Sequence, residues 1–228
     1  MILASVPVVK IQWCIFMKLF WRNMILKCSR HGGFTIRRSL WWAIFSKRSL
    51  GLKTGWRIVR RFALIPEDIF YYIYAIFHSP QYRQRYAEFL KIDFPRVPLT
   101  SNKQLFWDLA TKGDRLVQLH LMKATGTAVS SYPIDGSNIV EQVKYNETQQ
   151  QIWINSEQYF GDVPPHIWNF YIGGYQVCQK WLKDRKNRAL NFDDLMHYQN
   201  IIAILGETIT IMNDIDQIIL KHGGFPFT

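Results

Sequence analysis

From position 66 onward, apolar and polar residues recur with helical spacing; before it they do not. Pro66 stands where a proline can open a helix, with Glu67 and Asp68 set against the N-terminal end of its dipole, and the pattern predicts a helix to about 78. Ser79 and Pro80 then supply an N-cap and a first-turn proline for a second helix over 81–91, whose Tyr82, Tyr86, Phe89 and Leu90 share one stripe. The DFPRVP stretch over 93–98 cannot continue it. Thr100 or Ser101 restarts the chain into a third helix to about 122, with Leu105, Leu109, Leu116 and Leu119 at core positions.

After Gly126 the period changes. Residues 139–145 and 151–155 are runs rich in β-branched and aromatic side chains joined by the polar NETQQ, which predicts a hairpin. Pro164 and Pro165 open a turn into a possible third strand over 168–172, which Gly173 and Gly174 interrupt before a helix over 175–187. Asn191 caps a last helix with Asp193 and Asp194 in its first turn, and Ile202, Leu205, Ile209, Met212 and Ile215 are spaced for burial. The fold class that follows is α+β: mainly helical, with a small antiparallel β-hairpin unit. It divides into a helical segment over 66–126 and a hairpin unit plus two helices over 127–228, together one region.

Net charge would point to an anionic partner, but its distribution changes that inference. The chain of 228 residues carries +11. Residues 1–61 hold 13 Lys or Arg and no acid, whereas the rest holds 15 basic against 17 acidic residues, so the charge of the whole is not evidence that the body binds nucleic acid. The 1–65 arm also carries five of the nine tryptophans without a sustained period, and it matches neither a transit peptide nor a signal peptide. We read it as an unusual extension of uncertain fold. No uncharged apolar run approaches bilayer-spanning length, so a membrane is not an expected partner. Cys14, Cys28 and Cys178 form no CxxC pair, which suggests neither a zinc site nor a disulfide framework and fits a reducing cytoplasm.

Three blocks carry a resemblance: PEDIFYYIYAIFHSPQYRQRYAEFLKIDFPRVP, TSNKQLFWDLATKGDRLVQLHLM and QYFGDVPPHIWNFYIGGYQVCQKWLKDRKNRALNFDDLMHYQNII. In order, they resemble the C-terminal specificity region of type ISP restriction-modification enzymes, over about Pro66 to Asp216; the arm before Pro66 carries none of it. Such enzymes combine a nuclease, a helicase-like ATPase, an adenine-N6 DNA methyltransferase and a region that recognises the target sequence. The resemblance implies target recognition without catalysis or a cofactor of its own, double-stranded DNA and the methyltransferase, helicase and nuclease portion as partners, and the bacterial cytoplasm as location. Neither an Asn-Pro-Pro-aromatic motif nor a GxxxxGK[ST] phosphate cradle occurs in the chain. The alternative is a protein-interaction module that docks on a separate methyltransferase subunit.

Candidate DNA contacts cluster after the double glycine. On a helix from Tyr175, the residues Tyr175, Cys178, Trp181 and Leu182 fall on one face, leaving Gln176, Lys180, Lys183, Lys186 and Asn187 nearer the other. Lys180, Lys183, Arg185, Lys186 and Arg188 could contact phosphates, while Gln176, Arg185 or Asn187 could reach base edges. The alternative is a solvated face with cations at a helix C-terminus, where the dipole favours them. Gly173 and Gly174 read as a strand-to-helix turn. Arg83, Arg85 and Arg96, with Lys91, form a second basic group, equally open to local pairing with Glu88 and Asp93. Asp162 with the later Asp184, Arg185 and Lys186 loosely imitates a metal-dependent nuclease pattern, but Asp184 falls on a predicted helix. Limited proteolysis is expected to leave a resistant fragment beginning near Pro66; one beginning near Met1 would contradict the reading of the arm.

Overall fold

The computed structural model describes residues 65–126 and 130–227. The arm over 1–65, with Cys14 and Cys28, lies outside the described residues except for Ile65.

Helix α1 (Pro66–His78) begins with Glu67 and Asp68 in its first turn, and α2 (Pro80–Arg85) follows at once. Ser79 Oγ accepts from Tyr82 N at 3.1 Å and donates to Asp216 Oδ1 at 2.5 Å, while Gln81 N donates to Asp216 Oδ2 at 3.1 Å. A carboxylate from the far end of the chain thus helps satisfy the free amides of α2. The single helix expected over 81–91 is broken at Tyr86 (φ −105°, ψ 18°), and α3 (Ala87–Ile92) buries nothing. The break follows from Tyr82. This ring is buried, donates its hydroxyl to the Arg96 carbonyl at 2.6 Å, and packs edge-on against Phe225, as Tyr86 also does.

Helix α4 (Lys103–His120) is capped by Asn102, one or two residues beyond the expected Thr100 or Ser101. The asparagine Oδ1 accepts from both Gln104 N and Leu105 N. All four leucines expected at its core, Leu105, Leu109, Leu116 and Leu119, are buried. The helix packs on α1 so closely at Gly113 that an added Cβ would lie 1.9 Å from the Tyr71 carbonyl oxygen.

In the second half, β1 (Lys144–Asn146) and β2 (Gln151–Trp153) form the expected hairpin, in the register Tyr145↔Ile152. Its first strand is shorter than expected, because Glu141 N and Gln142 N both donate to the Ile154 carbonyl and form a bulge. The third strand is β3 (Tyr159–Phe160), not 168–172. Trp168 instead ends a short helix, α5 (Pro165–Trp168). Beyond it β4 (Tyr171–Ile172) and β5 (Tyr175–Gln176) pair with each other. Gly173 and Gly174, at φ +58° and +84°, therefore close a hairpin turn rather than joining strand to helix, and both positive dihedrals suit the tight turns of hairpins. The helix expected over 175–187 is α6 (Val177–Lys183).

Helix α7 (Phe192–Lys221) is closed at its start by a reciprocal capping box between Asn191 and Asp194. Ile202, Leu205, Met212 and Ile215 are buried as expected; Ile209 is only half-buried, its place taken by Ile211. From Ile204 onward α7 joins the cluster formed by α1 and α4, through Ile204, Ile211, Ile215 and Ile219. Its N-terminal part sends Tyr198 between Phe160 and Trp181, with ring centroids 4.7 and 4.9 Å away. The fold class is α+β and mainly helical, with two small antiparallel sheets among the described residues.

Two consequences are open to measurement. Gly113→Ala forces the α1 and α4 backbones apart, and urea unfolding is expected to show a loss of roughly 1–3 kcal/mol, the usual range for overpacking. The second concerns two histidines. Tyr74 OH and His120 Nδ1 share a 2.6 Å hydrogen bond, His120 Nε2 meets Thr208 Oγ1 at 3.1 Å, and His78 Nδ1 donates to the Tyr74 carbonyl at 2.7 Å. Burial pushes His78 down to about 3, with His120 adding to the shift, and burial pushes His120 down to about 4, both from an ordinary 6.5. The unfolded chain therefore binds protons below about 6.5 that the folded chain refuses, so stability falls as pH drops from there through 4. His120→Gln is expected to flatten that fall in a series of denaturation curves.

Candidate nucleic-acid interface

The sequence places five basic residues between Lys180 and Arg188, but local chemistry divides them. Helix α6 buries Cys178, Trp181 and Leu182 and ends at Lys183; the residues after it form a turn. Lys180 pairs with Asp184 one turn on, and the Lys183 ammonium donates to Gln179 Oε1 at 2.8 Å. The Arg185 guanidinium lies over the Trp181 ring at 3.6 Å from its centroid, donates to the Trp181 carbonyl, and stands 3.7 Å from Asp194. That side chain is held by stacking on the indole and by a backbone carbonyl.

Lys183, Lys186 and Arg188 are exposed and have no carboxylate partner among the described residues. Asn187 is exposed at φ +62°, a conformation that asparagine tolerates better than most residues. Its N–H donates to the Val140 carbonyl at 2.8 Å, Val140 N donates to the Arg188 carbonyl at 3.0 Å, and Ile139 bridges Ala189. The basic turn is thereby hydrogen-bonded to the segment that leads into the β1–β2 hairpin. Gln176 precedes α6 and does not share its exposed face: its Nε2 donates to the Trp168 carbonyl at 2.6 Å.

The second basic group is more dispersed. Arg83 Nε donates to the Phe77 carbonyl at 2.7 Å, Arg96 stands 3.4 Å from Asp93, Lys91 pairs with Glu88 at 2.8 Å, and Arg85 is exposed. Lys91 and Arg96 thus pair locally with Glu88 and Asp93, whereas Arg83 meets a backbone carbonyl and Arg85 has no carboxylate partner among the described residues. Cys178 is buried, and its thiol is pushed up to about 12 by that burial, so it is not a nucleophile at neutral pH. Asp184 is taken up by Lys180, and no group of three His, Cys, Asp or Glu able to hold a metal ion occurs among the described residues. Among the described residues no helix is long and apolar enough to cross a membrane.

Sequence reasoning missed Gln158, a wholly buried amide. Its Oε1 accepts from Asn138 N and Asn155 Nδ2, and its Nε2 donates to the Ile134 carbonyl and Asn138 Oδ1. Four hydrogen bonds satisfy the amide fully and fix the loop that carries Val140 toward the basic turn. No periodic signal marks such a residue.

Comparison with known proteins agrees with this architecture. No curated protein matches the chain. Solved structures that share the fold include a nuclease-deletion mutant of the type ISP restriction-modification enzyme LlaGI in complex with a DNA substrate mimic, the ATP-dependent type ISP enzyme LlaBIII bound to DNA, and a DrdV–DNA complex. Their TM-scores are 0.54, 0.55 and 0.52, at 22%, 19% and 18% identity over 66%, 69% and 70% of this chain. At such identities the likeness is one of fold. The chain spans only 14%, 12% and 19% of the length of those proteins. The family described as the type ISP C-terminal specificity domain matches residues 44–214, a span that begins upstream of Pro66 and takes in the end of the basic arm. With three quarters of its length inside that match, the chain belongs to the family of type ISP C-terminal specificity domains.

Proposed function

We propose that this chain recognises a duplex DNA sequence on behalf of a type ISP restriction-modification enzyme. The adenine-N6 methyltransferase, the helicase-like ATPase and the nuclease of that enzyme lie outside these 228 residues, and the setting is the bacterial cytoplasm. One observation carries the reading: a specificity-domain fold presents Lys183, Lys186 and Arg188 on a turn with no carboxylate to neutralise them among the described residues. The LlaGI, LlaBIII and DrdV structures that share the fold are all complexes with DNA or its mimic, which supports the same reading. Cations of this kind hold phosphates and set register, and each contact releases counterions. Arg83 and Arg85, both exposed, are further candidate contacts; Arg96 and Lys180 contribute less, because each already pairs with a carboxylate.

A second reading rests on a different surface. Phe89, Ile92, Phe94 and Leu99 are 72%, 87%, 70% and 82% exposed on and just after α3, an apolar group suited to docking a separate methyltransferase subunit. Ionic strength separates the two, since an apolar interface responds weakly to salt. Titration of the chain into a labelled duplex at increasing salt is expected to give a steep linear fall of log affinity with log concentration. In the triple variant Lys183→Ala, Lys186→Ala, Arg188→Ala the slope should drop by about two to three, at roughly 0.9 for each phosphate that is no longer neutralised. An unchanged slope would remove these three residues from the interface, and the absence of any duplex binding would favour the docking module.

A further inference from the structure

The free cations hold phosphates but do not distinguish bases, and of the three side chains beside them suited to reading bases two are already occupied, Arg185 by Trp181 and Gln176 by the Trp168 carbonyl, which leaves the exposed Asn187 alone there. We propose that base edges are read by the tip of the β1–β2 hairpin, residues 146–151, entering the major groove of the duplex. The inference rests on the DNA-recognition reading above and adds to it the specificity element.

The six residues of the tip, Asn146, Glu147, Thr148, Gln149, Gln150 and Gln151, include no aliphatic or aromatic side chain, and four of them are amides, of which Gln151 has its Oε1 buried. Asparagine and glutamine offer the paired donor and acceptor that match adenine N6 and N7 in the major groove, and a glutamate accepts from cytosine N4. Residues 147–150 are exposed. The turn holds its shape through the backbone and Asn146. Asn146 Oδ1 accepts from Gln149 N at 3.2 Å and its Nδ2 donates to Gln149 Oε1 at 2.9 Å, Gln150 N donates to the Glu147 carbonyl, and the Gln150 carbonyl accepts from Val163 N. Glu147, Thr148 and Gln150 are left with their side chains outward from a preformed loop, which lowers the ordering cost of binding.

Beneath the tip the mount is rigid. On the inner face Tyr145 stacks on Trp168 at 4.9 Å and donates its hydroxyl to the Val163 carbonyl, while Ile152 is fully buried. On the outer face Lys144 lies opposite Trp153, which packs on Tyr159 at 4.8 Å. Lys144–Glu147 and Trp153 line an open depression of about 460 Å³ there. The basic turn is hydrogen-bonded to Val140, and six residues of extended chain from Val140 to Asn146 reach at most about 20 Å, less where the bulge bends them. With a major groove about 12 Å wide, both elements can engage one stretch of duplex, and a two-stranded ribbon is narrow enough to enter it.

The test is selection from a random duplex library by the full chain at fixed low salt, repeated with Glu147→Ala and with Gln150→Ala. Thermal unfolding is followed to check that each exposed substitution leaves the body folded. The native chain is expected to enrich a motif; each variant should lose preference at one or two positions, with roughly tenfold weaker discrimination of the motif from random duplex. Variants that enrich the same motif with undiminished discrimination would overturn the hairpin assignment and leave DNA recognition standing; binding by the native chain with no motif would overturn both the hairpin assignment and sequence recognition, leaving non-specific phosphate binding alone. Failure of the native chain to retain any duplex would overturn the proposed function itself, and the hairpin assignment with it.

Discussion

A helix of 30 residues has to be covered along most of its length, and the rest of the body is arranged by how that is done. Helix α7 is buried on several sides between Ile201 and Leu205, a stretch with no polar residue, so no single partner layer can cover it. The two halves of the chain divide the task. Helices α1 and α4 take the C-terminal turns, through Ile211, Ile215 and Ile219, and the aromatic residues of the β half enclose Tyr198. The same helix then ties its ends into the fold with polar groups. Asp216 caps α2, Glu207 and Asp214 pair with Arg115 and Lys112 of α4, and Gln199 donates to the Ser130 carbonyl at 2.5 Å.

This arrangement decides what reaches the surface near the basic turn. Because Tyr198 needs Trp181 against it, α6 is held with its indole inward, and the guanidinium of Arg185 lies on the outer ring face. Charge in the turn is thereby sorted by packing. A cation that the core recruits as a cover is no longer mobile enough to search for a phosphate, whereas Lys183, Lys186 and Arg188 beyond it are free of carboxylates among the described residues. The hydrogen bonds through Val140 then tie the turn to the segment that leads into the hairpin.

Close backbone contacts are the least visible part of the design. Gly113 lets α4 touch the α1 backbone, and Gly126 lies as near to α7, where an added Cβ would fall 2.2 Å from the Ala203 carbonyl carbon. Both sit within otherwise ordinary sequence. Neither has a positive dihedral to mark it, since what each provides is the absence of a side chain between two backbones.

By itself the sequence determined the helices with strong signals: α1 from Pro66 with its acids, α4 from its leucine spacing, and α7 from Asn191 and its capping acids, as well as the hairpin about NETQQ. These are local effects, settled by dihedral preference, caps and period. The break at Tyr86, the third strand at Tyr159–Phe160 and the hairpin turn at Gly173 and Gly174 came only with tertiary structure. In each case the deciding partner is distant or competing: Phe225 for Tyr82 and Tyr86, Ile152 for Phe160, and the pairing of Tyr171 with Gln176 in place of a helix start. The candidate interface divides in the same way. Composition locates a cluster of cations, but whether an individual charge is neutralised, stacked or free depends on which neighbour the fold brings within about 4 Å, and a one-dimensional pattern carries no information on that distance.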